Sequence, residues 1–127
     1  MKRKKLTASM IALVMSVSLP MTTYAANWYL EDGSVTVNAD NSRQTVTQGS
    51  TSTPDEAPVI TQRESSVETG NTIAINASDN AAANVTIKDI NIKSSNDAID
   101  VKGSSSANIT LEGDNKIFSE TGSALSP

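Results

Sequence analysis

The 127-residue chain contains no cysteine, no histidine and only four aromatic residues. Without cysteine it has no disulfide to stabilise it and no thiolate for metal binding or nucleophilic catalysis. Without histidine, every serine–histidine catalytic arrangement is excluded, together with the commonest metal ligand. A chain with so few catalytic side chains is predicted not to be an enzyme.

The N-terminal segment has the pattern of an export signal. Basic residues 2–5 precede a mostly apolar stretch that ends at Leu19, and Thr23 and Ala25 are the small residues that precede a cleavage site. The sequence therefore predicts a signal peptide over residues 1–25, a secreted or cell-surface protein, and no membrane association after cleavage. The alternative is an N-terminal membrane anchor, for which the apolar run is short and is interrupted by serine and threonine.

The remainder of the chain is acidic. Four of the ten basic residues lie in the leader, so six basic and 14 acidic residues remain, a net charge of −8. Nucleic acids and anionic lipids are poor partners for such a surface.

Apolar residues recur at two periods between residues 71 and 125. Within short segments they alternate, as in Ile73/Ile75 and Val85/Ile87, which is the pattern of β-strands with one buried face. Equivalent positions then return at a longer and nearly constant spacing, within the range of solenoid repeats. The predicted partners are Ile73 with Ile99 and Leu125, Val85 with Ile109, and Ile92 with Ile117. Three strand series with one common period predict an all-β fold, a right-handed parallel β-helix.

The chain divides into three predicted parts. Residues 1–25 form the signal peptide, residues 26–70 an N-terminal cap of lead-in strands and polar loops, and residues 71–127 about two β-helix coils. Ser/Thr-rich residues 49–54 are predicted to form a loop within the cap. Because solenoids need more repeats than this for stability, the coils are expected to be truncated or to stack end to end on a second copy.

Four residues are candidates for ligand binding. Trp28 and Tyr29 offer aromatic faces on which sugar rings stack, although adjacent strand residues point to opposite faces, so one of the two is expected to pack into the cap. Thr86 and Thr110 occupy equivalent repeat positions and are predicted to form one ladder. Asn84 and Asn108 are also equivalent, and a stack of asparagines at the corners of the coils is favoured over a ligand role.

Acidic residues suggest one cation site. Asp97 and Asp100 flank a short apolar step, and stacking of the coils would bring further carboxylates near them. Calcium requires six to eight oxygen ligands. A calcium site at Asp97 and Asp100 is a hypothesis, against the commoner interpretation that outward carboxylates are simply hydrated. No other cofactor is predicted.

Two parts of the chain resemble a known group of proteins. Residues 28–37 (WYLEDGSVTV) are similar to the opening of secreted surface proteins of Gram-positive bacteria, and residues 83–92 (ANVTIKDINI) and 109–115 (ITLEGDN) are similar to their β-helix coils. The same coil pattern resembles that of carbohydrate-binding and adhesin-like β-helix proteins. The resemblance implies surface adhesion or binding of a polysaccharide or host glycan, sometimes with Ca²⁺.

Three functions therefore stand as hypotheses. The first is a non-catalytic module that presents a β-solenoid face to a glycan. The second is a structural one, the end of a longer cell-surface stalk. The third and least favoured is a polysaccharide lyase-like enzyme fragment, for which no pair of carboxylates can be assigned from the sequence.

Overall fold

The structure, a computed structural model, describes residues 26–78, 80–103, 106–120 and 125–126. The predicted signal peptide lies outside these residues. The strands are β1 (Asn27–Tyr29), β2 (Val35–Ala39), β3 (Gln44–Gln48), β4 (Thr51–Pro54), β5 (Val59–Thr61), β6 (Ile73–Ala77), β7 (Ala82–Lys88), β8 (Asn91–Ser94), β9 (Ile99–Gly103), β10 (Ser106–Glu112), β11 (Lys116–Ser119) and β12 (Leu125–Ser126). The all-β class predicted from the sequence is confirmed.

Helical structure in the described part of the chain is limited to one 3-10 turn, Leu30–Asp32. None of the helical structure described is long and apolar enough to cross a membrane.

The first sheet has four parallel strands in the order β1-β5-β7-β10. Its longest ladder joins β7 to β10 over seven residue pairs, from Ala82–Ser106 to Lys88–Glu112. The predicted partners Val85 and Ile109 are opposite each other in this ladder. The inward positions of β7 include the β-branched residues Val85 and Ile87, which a pleated, half-buried surface favours.

The second sheet is mixed and has six strands in the order β12-β9-β6-β2-β3-β4. Its first four strands are parallel, and Ile99 lies opposite both Ile73 and Leu125, as predicted. β3 and β4 extend this sheet as an antiparallel hairpin beyond β2, with a turn at Gly49, which has a positive φ of 61°.

The third sheet pairs β8 with β11 in parallel, again with the predicted partners Ile92 and Ile117 opposite each other. An isolated bridge from Thr69 to Ile92 adds a third level to this sheet. From Ile73 onward, parallel neighbours in all three sheets are therefore separated by nearly the same length of chain.

The core lies between the inward faces of these sheets. Its large buried members are aliphatic: Leu30, Val35, Val37, Val46, Ile60, Ile73, Ile75, Val85, Ile87, Ile90, Ile92 and Ile99. Burial of each such side chain contributes about 1.5–3 kcal/mol to stability. Because the parallel registers align aliphatic residues level with one another, the core continues from strand to strand as far as β7, β8 and β9.

One prediction about an individual segment is wrong. Residues 51–54 form strand β4 rather than a loop, because pairing with β3 holds a segment that has no large apolar residue. Leu111 is 62% exposed, whereas its register partner Ile87 is fully buried. Leu111 is on β10, the edge strand of the four-stranded sheet, where no further described strand covers it.

Candidate functional site

Strand alternation in the four-stranded sheet separates the two candidate aromatic residues. Trp28 is level with Ile60, and Ile60 is level with Ile87, both of which are fully buried. The Trp28 indole packs against the core and donates a hydrogen bond from Nε1 to Oδ2 of Asp55 (2.9 Å). Tyr29, the next residue, faces the other way.

The other three candidates, Tyr29, Thr86 and Thr110, lie on the outward side of this sheet. Val59 pairs with both Asn27 and Thr86, and Thr86 pairs with Thr110, while Tyr29 follows two residues after Asn27 on the same side. We call this surface the open face. Its residues are Asn27, Tyr29, Val59, Thr61, Asn84, Thr86, Lys88, Asn108, Thr110 and Glu112.

The open face contains a shallow depression of about 310 Å³. Tyr29 and Thr61, which are register partners, line one part of it, and Lys88 and Glu112, also partners, line another. Hydroxyl, ammonium and carboxylate groups therefore surround a space that is open to solvent. This combination offers both hydrogen-bond donors and hydrogen-bond acceptors.

Arg63 covers part of Tyr29. Its guanidinium carbon lies 4.1 Å from the centroid of the Tyr29 ring, in a cation–π contact. The same guanidinium donates two hydrogen bonds to Asp32, at 3.0 Å and 2.8 Å. These bonds hold the pKa of Asp32 below its usual range. The forked pairing fixes the guanidinium and so orients it over the ring, because a bidentate pair defines geometry as well as charge.

Asparagine amides form a ladder on the open face. Asn108 donates from Nδ2 to Oδ1 of Asn84 (3.0 Å), so the predicted stacking of these two residues is confirmed. The pair lies within strands β7 and β10 rather than at a corner, which corrects its expected position. A second pair, Asn76 donating to Asn38 (2.9 Å), repeats the arrangement on the six-stranded sheet.

The two candidate metal ligands lie elsewhere. Asp100 is on β9, opposite Ala74, and forms an ion pair with Lys102 (3.1 Å), whereas Asp97 precedes that strand and is half-buried. Across the residues that the structure describes, no group of three or more acidic side chains is placed to hold a metal ion. Calcium binding at Asp97 and Asp100 stays a prediction.

Three glutamines that the sequence analysis did not single out form hydrogen bonds with backbone groups near the ends of paired strands. Gln44 is buried, and its side chain bonds Asn84 on both sides: Asn84 N donates to Oε1 (2.8 Å) and Nε2 donates to the Asn84 carbonyl (2.9 Å). Gln48 donates to the carbonyls of Tyr29 and Gly33 (2.7 and 2.9 Å). Gln62 accepts from Asn91 N. Their side-chain amides form the hydrogen bonds that a neighbouring strand would otherwise form with these backbone groups.

A larger depression, of about 700 Å³, lies between the loop at Ser65 and the last strands, and Leu111, Asp114 and Lys116 line it. It includes none of the predicted ligand residues. Leu111, which is exposed on the edge strand β10, contributes an apolar side chain to the lining. This depression lies beside the last strands, β10 and β11, and not on the open face.

Comparisons of the chain with protein-family models, with curated proteins and with solved structures find no match. The chemistry of the open face therefore rests on the residues that form it.

Proposed function

We propose that this chain is an exported, non-catalytic carbohydrate-binding or adhesin-like module, and that its open face binds an extended glycan. The observation that carries the proposal is the collection of Tyr29, Thr86 and Thr110 on one solvent-facing side of a parallel sheet. The wider identity, a Gram-positive surface protein with β-helix coils, belongs to the same proposal.

The proposal includes the path of the chain. The three sheets are successive faces of one right-handed parallel β-helix, and the β3–β4 hairpin caps it. The strand pairings support this arrangement, because partners in three different sheets are separated by nearly the same length of chain. A single period in three sheets is expected when each turn of the backbone contributes one strand to every face.

Stacking supplies the repeat that a polymer needs. Neighbouring strands are about 4.8 Å apart, so each ladder on the open face presents its groups at that spacing across the strands. Thr86 and Thr110 are identical groups on adjacent strands, and Asn84 and Asn108 are a second identical pair. A glycan that lies across the strands meets the same hydroxyl and amide pattern at successive levels.

The chemistry of the depression suits sugar hydroxyls. The Thr61 hydroxyl donates and accepts, Lys88 donates and Glu112 accepts, so neighbouring hydroxyls of one sugar find partners of both kinds. The Tyr29 ring, with Arg63 on one side, adds an apolar surface edged by guanidinium donors. A non-catalytic role is favoured because Glu112 is the one carboxylate in the described lining of the depression, and glycoside hydrolysis uses two.

A binding experiment tests the proposal. The exported protein is incubated with insoluble cellulose, chitin, xylan and pectin, with and without EDTA, and the retained fraction is measured. Retention on at least one polymer is expected. The double variant Thr86→Val/Thr110→Val should weaken retention about tenfold, since two hydrogen bonds of about 0.5–1.5 kcal/mol each are removed while the β-branched shape is kept.

Thr36→Val is the matched control, because Thr36 is on the six-stranded sheet, away from the open face. Its retention should equal that of the unmodified protein. Retention on none of the polymers, or equal retention by the double variant, would overturn the glycan proposal. The EDTA arm decides the calcium hypothesis: loss of retention supports it, and unchanged retention removes it.

One observation favours a second candidate, a structural spacer of a longer surface stalk. Leu111 and Phe118 are exposed on the last strands of their sheets, where a further level of parallel strands would cover Leu111. A spacer needs no ligand. Absence of retention, together with coding sequence at the locus for further repeats of the same period, would support the spacer.

A further inference from the structure

Asp55 is a buried carboxylate with an unusual set of partners. Its side chain is 1% exposed. Oδ1 accepts a hydrogen bond from Ala57 N (3.0 Å), and Oδ2 accepts from Trp28 Nε1 (2.9 Å) and from Ala26 N (3.3 Å). All three donors are uncharged as long as Ala26 is part of a peptide bond with Ala25.

No positive side chain within the described residues forms an ion pair with Asp55. The ion pairs found there join Arg63 to Asp32 and Lys102 to Asp100. A buried carboxylate is stabilised by the hydrogen bonds it accepts from neutral donors, and further by a positive partner. A cation beside Asp55 would therefore stabilise the buried carboxylate further.

Ala26 stands at the boundary where the sequence predicts cleavage. Thr23 and Ala25 supply the small residues that a signal peptidase requires, so the bond predicted to break is Ala25–Ala26. Hydrolysis by one water molecule leaves a carboxylate on Ala25 and an amino group on Ala26, which is protonated at neutral pH. Cleavage there converts the weakest of the three donors into an ammonium.

We propose that Asp55 is the docking site for the α-ammonium of Ala26, and that removal of the leader completes an ion pair whose carboxylate is buried. Ala26 is already fixed at this place, because its carbonyl accepts a hydrogen bond from Val59 N (2.9 Å) and β1 pairs with β5 immediately after it. The contact of 3.3 Å shortens once the donor is charged, as charge-assisted hydrogen bonds do. After export, the ion pair between Ala26 and Asp55 stabilises β1, and with it Trp28, in its place beside β5.

The test uses the product that the cell makes. The full chain is expressed with its own leader in a secreting bacterium, and mass spectrometry of the exported protein should give Ala26 as the first residue. The α-amino group is then converted to a carbonyl by transamination, which removes its charge and spares lysine side chains. The ratio of folded to unfolded protein in urea should fall on the order of tenfold, because the buried Asp55 carboxylate loses its positive partner.

Asp55→Asn is the decisive variant and Asp32→Asn, an exposed carboxylate, is its control. Transamination should change the ratio in the Asp32 variant and leave it unchanged in the Asp55 variant. If Asp55→Asn does not accumulate, hydrogen exchange of the Trp28 indole N–H in the unmodified protein replaces it, and transamination should accelerate this exchange. A product that begins elsewhere, an unchanged ratio, an equal loss in Asp55→Asn or an unchanged exchange rate would each overturn the proposal. None of these outcomes depends on glycan binding.

Discussion

Gly103 and Gly49 both have positive φ angles but differ in their surroundings. Gly103, at the end of β9, has a φ of 112°, and a Cβ atom there would lie 1.9 Å from the carbonyl oxygen of its register partner Ala77. Gly49, in the β3–β4 turn, has a φ of 61° and open space around it. The close approach of β9 to β6 therefore depends on the missing side chain of Gly103.

Substitution of each glycine by alanine separates the two effects. Gly49→Ala should lower the free energy of unfolding by about 1 kcal/mol, because only the backbone conformation is strained. Gly103→Ala should lower it by about 3 kcal/mol or more, because the new methyl group also displaces backbone. Urea denaturation of both variants measures the difference, and equal losses would mean that the β9–β6 contact is not close.

At the scale of the strand, Gln44 takes the place of a missing neighbour. β5 pairs with β7 at Thr86 and Ile87 and does not reach Asn84, so the backbone N–H and carbonyl of Asn84 bond the Gln44 side chain instead. Nε2 also donates to the carbonyl of Asp55 (3.0 Å). One buried amide thus joins β3, β7 and the segment before β5.

Gln44→Leu should lower the free energy of unfolding by about 3 kcal/mol, because it leaves three backbone groups without a partner and each buried group so left costs about 1–3 kcal/mol. Hydrogen exchange of Asn84 N–H should accelerate more than that of Thr86 N–H, which bonds the Pro58 carbonyl. Thr45→Val, on the other side of the same strand, is the control and should change neither rate. Unchanged protection of Asn84 would rule out this role of Gln44.

At the scale of the whole molecule, the burial of apolar side chains decreases toward the last strands, β10 and β11. Ile87 and Leu111 are register partners with similar side chains, yet Ile87 is fully buried and Leu111 is 62% exposed. In the described parts of β10 and β11 no residue is buried. Local stability follows the number of buried apolar contacts, so it decreases along the stack.

Paired substitutions test this gradient. Ile87→Ala should lower the free energy of unfolding by about 2–5 kcal/mol, the range for truncation of a core isoleucine. Leu111→Ala should change it by about 0.5 kcal/mol or less, as exposed positions do. Thermal or urea unfolding distinguishes the two. A loss at Leu111 comparable with that at Ile87 would indicate that another part of the chain, or a second copy, covers β10 in solution.

The sequence predicted the arrangement of the strands where apolar periodicity carries the information. The pairs Ile73–Ile99, Val85–Ile109 and Ile92–Ile117 follow from alternation and a common period, because buried aliphatic residues fix the register of a strand. β4 has no such signal. The roles of Gln44 and Asp55 left no signal in the sequence either, since each side chain bonds a polar group that is distant along the chain.

For the candidate site, alternation predicted that Trp28 and Tyr29 would face opposite ways, and the pairing of β1 with β5 determines which of them faces outward. The match of Thr86 with Thr110 followed from the period. The cover of Tyr29 by Arg63 was not predictable, because it arises in the loop after β5, where no periodic pattern constrains the backbone.

The seven-pair ladder between β7 and β10 makes mechanical strength depend on direction. A force applied along the strands loads the hydrogen bonds of the ladder together in shear, whereas a force that pulls the strands apart from one end breaks them one after another. The chain should therefore resist tension far better when it is pulled along its strands than when its strands are peeled apart.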